Sequence, residues 1–250
     1  MNEEVKVYVA ITLFSIIFSL YLFQAYLTVP LVYKTISKMS ATKSTVLVPP
    51  VHYLSKKNID LFPLSGESNI LTYDCNENGY WSSFKTDRYG FNNPDEEWAQ
   101  TEIRYLMLGD SFVQGACVNR PHDIGSVLRT LSNKSVLNLA YAGNGPLLNF
   151  ATFKEYSSKR KIKNILWFYT EENDNNGLIL ELQNHILIKY FNDQTFSQKL
   201  IQKQNIINNL TISEIKKEFI NFIKLFKARR LLTHRAFLKL PESKSQVVPE

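Results

Sequence analysis

Residues 109–112 read Gly109-Asp110-Ser111-Phe112 and follow directly on IRYLML, an apolar run of strand length from Ile103 to Leu108. A glycine before a serine at a strand-to-helix turn lets the backbone bend sharply. The hydroxyl then projects from the sheet edge, and the serine amide points to where an oxyanion would form. Nucleophilic attack on an acyl carbonyl is the chemistry open to such a residue. The plainer role for the same serine is to cap the helix that follows the strand. Two more segments of interest stand after apolar runs. Asn138-Leu139-Ala140-Tyr141-Ala142-Gly143-Asn144-Gly145-Pro146 closes the run SVLNLA, and Glu171-Glu172-Asn173-Asp174 closes NILWFYT. Gly143 offers a bare backbone amide and Asn173 a carboxamide, although a flexible loop and a turn or helix cap are their ordinary uses.

These groups can act together only if the strands carrying them are neighbours. Ile103 to Leu108, Ser135 to Ala140 and Asn164 to Thr170 read as strands, with helices around Ser126 to Leu131 and Leu147 to Tyr156 between them. Strand, helix, strand, helix, strand implies a parallel sheet with right-handed crossovers and flanking helices. Ligands of such sheets bind at the carboxyl ends of the strands. Upstream, Ser65-Gly66, Asn78-Gly79, Tyr89-Gly90 and Asn93-Pro94 punctuate short apolar pieces, so that part reads as loop and short strand. Downstream of Ile179 the chain is helical in character. Ile212, Ile215, Phe219, Phe222, Ile223 and Phe226 alternate with Lys216, Lys217, Lys224 and Lys227. Such a helix either packs on the sheet or lies on anionic lipid.

With these blocks in order, the sequence resembles the SGNH (GDSL-type) hydrolase superfamily over roughly residues 60–205. Ser111 matches the family's Gly-Asp-Ser block, Gly143 its glycine after the second strand, and Asn173 its asparagine after the third. The resemblance implies a three-layer, flavodoxin-like parallel sheet flanked by helices, with Ser111 as nucleophile. It also implies an oxyanion hole built from the Ser111 amide, the Gly143 amide and the Asn173 carboxamide. Cys75-Asn76-Glu77-Asn78-Gly79-Tyr80 and Thr86-Asp87-Arg88-Tyr89-Gly90-Phe91-Asn92-Asn93-Pro94 resemble the lead-in of membrane-anchored bacterial envelope members, often associated with surface polysaccharide. In that subgroup the segment Gly115-Ala116-Cys117-Val118 accompanies an upstream cysteine, which implies a Cys75–Cys117 disulfide and an oxidising compartment. The cysteines by themselves allow either two buried thiols or one disulfide, and their spacing suits no metal. The expected activity is that of a serine esterase or O-acyltransferase acting on acylated envelope glycans or another ester, without metal or cofactor. The alternative is a catalytically inactive SGNH-like envelope protein that binds a ligand or partner.

The sequence departs from the family in three places. No Asp-x-x-His block occurs, and the four histidines, His52, His122, His185 and His234, read as surface residues. A serine without a base to take its proton is a poor nucleophile. Glu172 stands where the family's third block has glycine, and a carboxylate there can disturb the turn or repel a developing oxyanion. The chain is also expected to be C-terminally short, as a piece of a longer enzyme or as a natural truncation. No Gly-x-Gly-x-x-Gly or Walker-type loop follows any strand, which disfavours a nucleotide site.

The run VYVAITLFSIIFSLYLFQAY, Val7 to Tyr26, carries no charge over the length that spans a bilayer as a helix. It begins after Asn2-Glu3-Glu4 and lacks the basic start of a cleaved signal, so it reads as a retained anchor. The expected organisation is a transmembrane anchor over 1–30 that meets lipid through 7–28, a juxtamembrane linker over 31–62, and a hydrolase-like domain over 63–250. Lys34, Lys38 and Lys43 follow the span while only Lys6 precedes it, which by charge places the bulk of the chain in the cytoplasm. The family reading places it outside. With 250 residues, 44% hydrophobic and 21% charged, the composition is that of a folded protein. The net charge of +6 is scattered, which fits solvation and membrane proximity and implies no nucleic-acid partner.

Overall fold

The computed structural model describes residues 2–41, 44–56, 59–77, 79–158, 160–218 and 220. His234 and the apolar positions Phe219, Phe222, Ile223 and Phe226 lie outside them. The first element, α1, is a helix over Glu3–Ala41. Within it Glu4–Phe23 is long and apolar enough to cross a membrane, with a mean hydropathy of 2.0 and none of it buried against the rest of the chain. The helix runs past the expected anchor end at residue 30, since 31–41 contains no glycine and several good helix formers.

The segment expected to be a linker carries secondary structure of its own. Strand β1 (Ser44–Val46) pairs in parallel with β2 (Leu71–Tyr73), which pairs antiparallel with β3 (Ser83–Lys85). A short 3-10 turn over Pro50–Tyr53 then buries Tyr53, and Leu47, Val48, Val51 and Leu54 pack on the core. Residues 44–56 therefore belong to the folded body. Their apolar side chains are too few and too irregular to show a strand or helix period, which is why they read as linker.

The second sheet holds β4 (Glu102–Leu108), β5 (Val136–Asn138) and β6 (Lys161–Trp167), all parallel, in the order β5-β4-β6. The protein is thus mixed α/β, with a small parallel sheet and one apolar N-terminal helix. Helices α2 (Ser111–Gln114) and α3 (Ile124–Ser132) connect β4 to β5, and α4 (Pro146–Ser157) connects β5 to β6. After β6 come α5 (Glu171–Glu181), α6 (His185–Asn192) and a helical stretch over 204–218, α7. The core gathers Phe62, Leu64, Phe91, Leu106, Leu148 and Tyr156, all at most 1% exposed.

The lead-in segment is a brace for this sheet. Asp87 is fully buried, and its carboxylate accepts from the Tyr89 and Phe91 amides, the Asn93 carboxamide and the Trp98 indole. The Asn93 side chain in turn bonds both the amide and the carbonyl of Asn138, each at 2.8 Å. Glu97 accepts from the Val136 amide, and Arg129 donates to the Val136 carbonyl. The outward-facing polar groups of β5 are therefore all taken by side chains, the arrangement a sheet uses to close an edge without another strand.

The start of α4 is held in the same manner. Pro146 occupies its first turn, and no side chain from its own N-cap serves its free amides. Glu181, at the end of α5, reaches back to accept from Gly145, Leu147 and Leu148 at 2.7, 2.8 and 3.3 Å. A Cβ on Gly145 would lie 2.7 Å from the Glu181 carboxylate, so a larger residue there would displace that side chain. Glu181→Ala is expected to cost about 2–4 kcal/mol by leaving three buried donors unpaired. Urea unfolding of the two proteins in the same detergent measures it, with Glu181→Gln intermediate because it keeps one acceptor.

Candidate active site at the carboxyl edge of the sheet

The β5-β4-β6 order puts the exits of three neighbouring strands side by side. The Tyr141 amide donates to the Gly109 carbonyl at 3.3 Å, and the Phe168 amide donates to the Leu108 carbonyl at 2.9 Å. Gly109 is flanked closely on both sides and beneath. A Cβ on it would meet Val113 at 2.5 Å and the Phe168 Cβ at 3.3 Å. The glycine is thus needed for close approach, while its amide donates to Asn149 Oδ1 from α4 at 3.2 Å.

Ser111 follows two residues later as the first residue of α2. The cap of that helix is Asp110, whose carboxylate accepts from the Phe112 amide at 3.0 Å. Ser111 is therefore not the helix cap that one reading of the sequence allowed. Its hydroxyl has no hydrogen-bond partner among the described residues, and the residue is partly exposed. From the end of α2, the Gln114 carboxamide oxygen accepts from the Ala142 amide, and the Asn138 carboxamide donates to the Val113 carbonyl. These bonds lock the serine helix to the loop that carries Gly143.

Gly143 has φ +71, the left-handed conformation glycine adopts without strain. A Cβ there would lie 2.6 Å from Val51, so the position is closed to larger residues on steric grounds as well. Gly143 is exposed, and its amide has no partner among the described residues. Asn173 lies in the first turn of α5, exposed, with its carboxamide likewise unengaged. The N-cap of α5 is Thr170, and the carboxylate that bonds its amide is that of Asp174, at 2.6 Å. Asn173 is thus not the cap either. Ser111, Gly143 and Asn173 stand on the middle strand's exit and on its two neighbours' exits, at one edge of the sheet.

Several side chains behind this edge give no signal in the sequence. Asp174 is buried, and burial raises its pKa against the hydrogen bond from the Thr170 amide, with the charge of Asp110 adding to the rise. Asp110 Oδ2, Asn149 Nδ2 and both polar atoms of Asn144, a residue 1% exposed, are buried without a partner. Each such atom costs roughly 1–3 kcal/mol. Polar atoms of this kind are available to a bound water or ligand. Glu172 is exposed beside Asn173.

The histidines are elsewhere. His52 hydrogen-bonds Glu214 of α7 at 3.2 Å, in a cluster that also includes Lys56 and Lys217. His122 and His185 are exposed, and none of these three bonds Ser111. Cys75 and Cys117 are joined in a disulfide, with Cα atoms 5.0 Å apart. The bridge ties the turn before β3 to the segment just behind α2. The Tyr80 hydroxyl donates to the Cys117 carbonyl at 3.4 Å. Tyr80 and Trp81, in the segment that follows Cys75, and Phe112, the residue after Ser111, present exposed aromatic rings. Comparison of the chain with protein-family models, with characterised proteins and with solved structures finds no match.

Proposed function

We propose that this protein is a serine esterase or O-acyltransferase of the SGNH type, anchored by α1 and acting on acylated glycans outside the cytoplasm. The observation that carries the reading is the placement of Ser111, Gly143 and Asn173 at three adjacent strand exits, each with a donor that no other described group engages. The chain reverses direction across the sheet at β4, and such reversal points in doubly wound sheets are where ligands bind. Right-handed crossovers would set α3 and α4 on opposite faces of the sheet, which supports reading it as the three-layer arrangement of that superfamily.

In this reading Ser111 Oγ bonds to the acyl carbon, and its proton leaves to a base. The carbonyl π electrons move onto oxygen, where the Ser111 amide, the Gly143 amide and the Asn173 carboxamide stabilise the charge. Collapse of the intermediate expels the alcohol, which takes up the proton, and water or an acceptor hydroxyl then removes the acyl group. Two features favour an extracytoplasmic glycan substrate. The Cys75–Cys117 disulfide suits an oxidising compartment. The exposed Tyr80, Trp81 and Phe112 rings suit stacking against sugar faces.

A second reading rests on the histidines. None of the described ones partners Ser111, which favours a binding protein with the pocket but without turnover. A fluorophosphonate probe applied to the full chain in detergent separates the two. Covalent labelling that disappears in Ser111→Ala supports the enzyme, whereas absence of labelling in folded wild-type protein rules it out and leaves the binding reading.

A further inference from the structure

The two edges of the β5-β4-β6 sheet are treated oppositely. The β5 edge is sealed by Asn93, Glu97 and Arg129. Strand β6 pairs only with β4, and its other edge has no strand against it among the described residues. Because the Phe168 amide points to β4, alternate positions point the other way. Lys163, Ile165, Trp167 and Tyr169 therefore turn their amides and carbonyls to the open edge. Their side chains are exposed too, with Ile165 at 48%, Trp167 at 47% and Tyr169 at 54%. A groove of about 360 Å3, lined wholly by apolar side chains, lies beside the strand between α4, α5 and α6, with Trp167 as one wall. An apolar strand with an open edge is a template for another strand.

The charges at the two ends of this strand select the partner. Lys161 and Lys163 stand at its start, and Glu171 and Glu172 follow its end, all exposed. The lysines share Glu102 at 3.0 and 3.7 Å, which leaves them largely in solvent. A second copy laid antiparallel across a two-fold axis sets each basic end against an acidic end, and no different sequence is required. We propose that this edge of β6 is the interface between two copies of the chain, paired antiparallel about Leu166.

The register follows from the pattern of open positions. Centred on Leu166, Ile165 opposes the partner's Trp167 and Lys163 opposes the partner's Tyr169, which brings Lys161 toward the start of the partner's α5 at Glu171. Across the paired centre, residues with outward-facing backbone then meet residues of the same kind, so the free amides of Ile165 and Trp167 find carbonyls. An aliphatic β-branched residue against an aromatic one is a favourable cross-strand pair. Leu166 faces the partner's Leu166 at a non-hydrogen-bonded position, where Cα atoms come to about 4.5 Å. This inference does not depend on the activity proposed above.

The test is Leu166→Cys in the full chain, in membranes under mild oxidation. Cys75 and Cys117 are bonded to each other, so the new thiol is the free one. A shift to a covalent species of twice the chain mass is expected for Leu166→Cys, and none for Leu131→Cys, an exposed position on α3. Glu171→Lys alone should reduce the dimer fraction of otherwise wild-type protein, measured by light scattering in detergent. Adding Lys161→Glu should restore it. Cross-linking at Leu131→Cys as fast as at Leu166→Cys overturns the proposal. A wild-type chain that is monomeric at every concentration, or that is held only in a complex with a different protein, overturns it as well.

Discussion

Asp87→Ala is expected to destabilise the domain by about 4 kcal/mol or more, a large share of a typical domain's stability. The substitution strips four donors of their acceptor at once, at a site no water reaches. The damage spreads because Asn93, freed from Asp87, is the side chain that holds the outer edge of β5. Urea unfolding followed by tryptophan fluorescence reads the effect directly, since Trp98 is one of the four donors. The same carboxylate sets a pH dependence. Burial pushes its pKa up to about 6 despite its hydrogen bonds, against an unfolded value near 4. The folded state thus binds this proton more tightly than the unfolded chain does. The contribution is complete below about pH 4 and is lost as the pH rises through about 6, by roughly 3 kcal/mol. Subtracting the pH profile of Asp87→Asn from that of the wild type isolates it. A difference that is flat between those limits would contradict the assignment.

The second large effect is on the proposed chemistry. Asn173→Ala should slow labelling by a fluorophosphonate about 10²–10³-fold, the usual consequence of losing one preorganised oxyanion donor. Because the Asn173 side chain is exposed and makes no internal hydrogen bond, the fold should be unaffected, and unchanged circular dichroism checks that. A labelling rate within about twofold of wild type would remove Asn173 from the site and weaken the case for Gly143 beside it. The effect bears on Glu172 as well. If its carboxylate does repel the oxyanion, Glu172→Gln should move the rate in the opposite direction.

The parts of the fold that the sequence displays are those with a local signature. The apolar runs at Ile103 to Leu108 and Asn164 to Thr170 lie within or overlap β4 and β6, and the helix read over Leu147 to Tyr156 lies within α4. Each is a contiguous, largely apolar run of the length its element needs. The order β5-β4-β6 is a matter of long-range pairing, which no local pattern carries. The Gln114, Asn144, Asn149 and Glu181 side chains escape notice for a similar reason. Gln114 meets Ala142 across 28 residues, and Glu181 meets Gly145 across 36. A glutamate at the end of one helix gives no sign that it serves the beginning of another. Asn144 sits in a Gly-Asn-Gly turn, where an asparagine is unremarkable until its burial is known. The early strand β1 does not register because three residues are too few to alternate.

The seal that Asn93, Glu97 and Arg129 place along β5 has a consequence for how far association can proceed. A sheet open at both rims can recruit molecule after molecule and grow into a fibre. Here one rim is already saturated by side chains, so if two open β6 rims meet as proposed, the β5-β4-β6 sheet has no edge left for a third chain. In the proposed pair, growth through this sheet therefore stops at two copies instead of continuing into a filament.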